Sequence, residues 1–87
     1  MELPKIFLDF YLKRTTGVYD KIFKDEPEFG GIVNLPINGY QIALHEGDLR
    51  IIKVGETKEI VNDRETIDKL AQELQEEVMK LEFELRK

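Results

Sequence analysis

The sequence predicts an α+β fold of two layers, ordered α-β-β-β-β-α, in which an antiparallel meander sheet is covered by an N-terminal helix and a long C-terminal helix. Two observations carry this. Apolar residues recur at the helical period at both ends of the chain. Between them, short β-rich runs are separated by the turn dipeptides Asn38-Gly39 and Glu46-Gly47. With 87 residues, the chain is expected to form one small domain, 1–87, with a thin core.

In the first segment, Phe7, Leu8, Tyr11, Leu12, Val18, Tyr19, Ile22 and Phe23 fall on one face at about 3.6 residues per turn. Asp9, Lys13, Thr16, Asp20, Lys21 and Lys24 fall on the other. Pro4 suits a first helical turn. One helix over 4–24 is expected, and Gly17 is its weak point, where a break would give two shorter helices.

Residues 25–31 have the turn chemistry of a loop. Asn38-Gly39 predicts a two-residue type I′ hairpin, which sets Ile37 opposite Tyr40, Leu35 opposite Ile42 and Val33 opposite Leu44 on one face. Pro36 donates no ladder bond, so the first strand belongs at a sheet edge. Glu46-Gly47 predicts the next turn, pairing Leu44 with Leu49 and Ile42 with Ile51. The third strand runs to about Val54, and Gly55-Glu56-Thr57 leads into a short fourth strand, Lys58 to Val61. Ile32, Ala43, Ile52 and Val54 fall on the second face.

Residues 64–87 predict the last helix, with Asn62 as its cap and Glu65 as capping-box partner. Ile67, Leu70, Ala71, Leu74, Val78, Leu81 and Leu85 form its apolar stripe. Glu65–Lys69, Glu76–Lys80 and Glu82–Arg86 are spaced as i,i+4 ion pairs. The helix is longer than a four-stranded sheet is wide, so its far end is expected to overhang.

Composition narrows the function. Charged residues make up 36% of the chain and no long apolar run occurs, which speaks against a membrane span. The N-terminal residues lack the pattern of a secretory signal, and a cytoplasmic location is expected. Cysteine, serine and tryptophan are absent and His45 is the single histidine, so no Ser-His-Asp or Cys-His site can be assembled from this chain. His45, Glu46 and Asp48 at a hairpin tip read as a solvated polar turn rather than a zinc site. Asp25, Glu26 and Glu28 lack EF-hand spacing. No catalytic residue, cofactor or metal ligand is assigned, and an enzyme is not expected.

Two residue sets remain. Met79 and Phe83 are i,i+4 neighbours away from the stripe of the last helix, and Ile6 and Phe10 are a similar pair on the polar side of the first. These four are the candidate partner interface. Lys13, Arg14, Lys21 and Lys24 give the first helix a modestly basic face, a candidate nucleic-acid surface that the net charge of −5 argues against. The expected function is a non-catalytic protein-interaction or assembly module, self-associating through its helices as a homodimer or docking on another protein. One alternative is a small acidic inhibitor or regulator of a nucleic-acid-processing protein. Another is a nucleic-acid-binding regulator that uses the basic face.

Overall fold

The computed structural model describes residues 2–23 and 31–86. Its elements are α1 (Lys5–Thr15), β1 (Val33–Asn34), β2 (Tyr40–His45), β3 (Asp48–Val54), β4 (Lys58–Ile60) and α2 (Arg64–Leu85). The strands form one antiparallel sheet in the order β1-β2-β3-β4, a meander with β1 at an edge. The fold is α+β, as expected. α1 lies over β1 and β2, and α2 packs beside α1.

The first helix is shorter than the 4–24 expected, and it stops where Gly17 allows. Gly17 adopts φ of 87°, a left-handed conformation that costs glycine little. Val18 N–H then donates to the Lys13 carbonyl at 2.9 Å, the closing bond of a Schellman motif. The hydroxyls of Thr15 and Thr16 donate back to the Tyr11 and Leu12 carbonyls. Residues 16–22 continue as turns, and they return Tyr19 and Phe23 to the side of α1.

The buried face of α1 is also rotated from the expected one. Phe7, Phe10, Tyr11 and Arg14 are buried, at the spacing i, i+3, i+4, i+7, whereas Leu8 and Leu12 are exposed. A charged residue at the fourth core position hides this stripe from a hydrophobicity count.

The hairpin at Glu46-Gly47 has the expected register, Leu44 with Leu49 and Ile42 with Ile51. Glu46 and Gly47 both have positive φ, 53° and 84°, as a type I′ turn demands. The hairpin at Asn38-Gly39 differs. Only Gly39 is left-handed there, so the turn is not type I′. Tyr40 N–H still donates to the Ile37 carbonyl at 3.3 Å, but the strands close two residues further out, where Leu35 N–H donates to the Tyr40 carbonyl at 3.0 Å. Val33 therefore faces Ile42, not Leu44. A shift of two residues preserves the face, so Val33, Leu35 and Ile42 still point to the core. Pro36 lies in the connection.

One hydrophobic cluster joins Phe7, Phe10, Tyr11 and Tyr19 to Val33, Leu35, Ile42 and Ile51 of the sheet side and to Ile67, Leu70 and Leu74 of α2. The rest of the expected α2 stripe, Ala71, Val78, Leu81 and Leu85, packs half-buried against it. Beyond Leu74, no described α2 residue is fully buried. The cap of α2 is Asp63 rather than Asn62. Its carboxylate accepts from Thr66 N–H at 3.0 Å and from the Thr66 hydroxyl. The Thr66 hydroxyl bond, foremost, holds the Asp63 carboxyl below its ordinary range.

Candidate functional site

The far end of α2 is fastened to α1 and to the turn after it by one carboxylate. Glu82 Oε1 accepts from Lys13 Nζ at 3.3 Å and from the Tyr19 hydroxyl at 3.5 Å. The hydrogen bond to Glu82 raises the Lys13 pKa, and burial raises that of Tyr19. Glu82 thus points inward to Lys13 instead of pairing along α2 with Arg86. Lys80 pairs with Glu77 at 3.3 Å rather than with Glu76, and Arg64 pairs with Asp68 at 3.2 Å.

Holding Glu82 inward fixes which residues face out. Met79 is 67% exposed and Phe83 is 64% exposed. Ile6 and Met79 come together as walls of one shallow groove of about 280 Å³ between the helices, floored by Phe10 and Val78. Phe10 is 1% exposed, so its place on a polar outer face is corrected. It belongs to the core, tilted against Tyr19 at 5.7 Å and edge-to-face with Phe23 at 6.2 Å between ring centroids.

The basic set separates. Arg14 is 3% exposed, with its guanidinium 4.4 Å from the Phe23 ring centroid, a cation–π stack inside the core. Lys13 is engaged by Glu82. Lys21 is exposed, and Lys24 lies outside the described residues. The Arg14 assignment to a surface is thereby corrected: its planar cation is covered by an aromatic face and the side chain is buried with it.

A second apolar patch was not foreseen. Leu8 and Leu44 are about half-exposed and, with Leu3 and Leu49, line a cleft of about 770 Å³ beside the β2–β3 turn. Their exposure follows from the rotated face of α1. Lys5 and Arg50 share the cleft's rim with Glu2 and Asp48, so its charges balance. The acidic run Asp25, Glu26 and Glu28 lies outside the described residues. Among the described residues, no group of three metal-ligating side chains stands close enough together to hold an ion. No described helix is long and apolar enough to cross a membrane.

These features define a small α+β fold with an apolar, outward-facing end on its longest helix. No family model, curated protein or solved structure matches the chain.

Proposed function

We propose that this chain is a non-catalytic assembly module that pairs with a second copy of itself through the outer face of α2. The observation that carries the reading is the exposure of Met79 and Phe83, neighbours one turn apart on a helix whose inner face is already satisfied. Ile6, brought beside Met79, widens the patch. A small domain gains apolar burial by pairing that its own core is too thin to supply. A closed two-fold pair is the commonest way to do so.

The other readings have less support. Lys13 and Arg14 are engaged within the fold, which weighs against a nucleic-acid face. On α2, exposed Lys69, Lys80 and Arg86 interrupt the glutamates, which weighs against a single acidic surface for an inhibitor.

Light scattering at tens of micromolar tests the reading. The expected mass is twice the 10.2 kDa of one chain, and a single-chain mass overturns it. Phe83→Glu is expected to give the single-chain mass with helix content retained, because a substitution at so exposed a position costs the fold little.

A further inference from the structure

α2 is held unevenly along its length. Its near half places Ile67, Leu70 and Leu74 fully in the core. Its far half, residues 75–85, offers Val78, Leu81 and Leu85 to that core, and each stays partly exposed. Against α1 the fit is open, leaving the groove of about 280 Å³ between Ile6 and Phe10 on one side and Gln75, Val78 and Met79 on the other. Each residue ordered beyond Leu74 therefore withdraws less apolar surface from water than those before it, at a similar cost in chain entropy. A segment this short has little helical stability of its own once its packing is gone.

One polar cluster offsets the weak packing. Glu82 accepts from Lys13 of α1 and from the hydroxyl of the fully buried Tyr19, so it ties the far half to two points of the chain at once. The two charged side chains of the cluster are 42% and 39% exposed, within reach of water that can replace either partner. Asp9, one turn before Lys13 on α1, lies close enough to act on the Lys13 charge and can take the ammonium when Glu82 leaves. Breaking the cluster thus strands no buried ion.

We infer that residues 75–85 form an arm that undocks and unravels as one cooperative unit while the near half of α2 and the sheet stay folded, and that Glu82 with Lys13 and Tyr19 is its latch. Opening bares Tyr19 and Phe10 to water and disperses the outward pair Met79 and Phe83. The latch therefore governs whether that apolar pair is presented, whatever it meets. The inference concerns contacts within one chain and stands apart from the self-association reading.

Hydrogen exchange of the full chain tests this, followed by mass spectrometry over urea concentrations below the unfolding transition. Low micromolar protein keeps pairing between chains to a minimum. Peptides from 77–84 are expected to exchange through one opening whose rate rises with urea, on a shallower slope than the opening that exposes 67–74. Glu82→Gln keeps the size of the side chain and removes its charge. It is expected to speed exchange in 77–84 about threefold, the scale of an ion pair between half-exposed groups, and to leave 67–74 unchanged. Lys13→Met is expected to do the same. Glu76→Gln, at an exposed glutamate of the same half, is expected to change neither segment. Exchange in 77–84 that ignores urea is fraying of a helix end, and exchange that matches 67–74 in rate and slope is global unfolding; either overturns the arm. An arm that opens as described, but no faster in Glu82→Gln and Lys13→Met, overturns the latch.

Discussion

Gly17 decides where the first helix ends. Its φ of 87° is open to glycine, and a Cβ there would also meet the Asp20 carboxylate at 2.9 Å. The carboxylate sits at the end of a flexible side chain and can move, so the backbone conformation carries the cost. Gly17→Ala is expected to lower stability by about 1–2 kcal/mol, read as a fall in the urea midpoint at unchanged slope. Arg14 shows the same dependence on local setting. Its guanidinium lies over Phe23, whose ring packs in turn on those of Phe10 and Tyr19, so a residue that reads as surface charge acts as part of the core. A sequence pattern weighs residue type, whereas this position is set by the flat cation's fit to an aromatic face.

Among the elements, α2 was the most legible. Its stripe is long enough for periodicity to average out single exceptions, and its bounds fall within two residues of those expected. The cap was harder to choose, because Asn62 and Asp63 are both competent and only the path out of β4 selects between them. Asp63→Ala is expected to lower the thermal midpoint and Asn62→Ala to leave it unchanged in differential scanning. The acid limb has a defined sign. Because the folded Asp63 carboxyl titrates below its ordinary value of 3.8, its stabilisation is present above that value and is lost as pH falls through the lowered one. Asp63→Ala removes that contribution to the acid limb. The sheet was legible at Glu46-Gly47, where two left-handed residues fix both turn type and register. At Asn38-Gly39 the dipeptide is equally suggestive, yet Pro36 lies two residues before Asn38 and cannot donate a ladder bond. The pairing begins at Leu35 instead. The α1 face was misread because Arg14 masks one end of the true stripe while Leu8 and Leu12 imitate another.

At the scale of the whole molecule, the candidate surface was half legible. Met79 and Phe83 lie outside as the sequence suggests, while Phe10 is drawn inside by the aromatic residues that follow Gly17, which no helical projection carried straight through that glycine could show. If α2 pairs with a copy, stability is shared between chains. A tenfold rise in protein concentration is then expected to raise Tm by about 3–4 °C, and Phe83→Glu to abolish that dependence. The topology also has a temporal side. Every strand pairs with its neighbour in sequence, so the sheet closes through short loops, whereas the bonds joining Lys13 and Tyr19 to Glu82 span 69 and 63 positions. Long closures cost more chain entropy and come late. On the ribosome α2 emerges after α1 and the four strands, so the nascent sheet stands with Val33, Ile42 and Ile51 only partly roofed until Ile67, Leu70 and Leu74 have emerged. The helix proposed to pair with a second copy is also the element that closes over the sheet after the strands have formed.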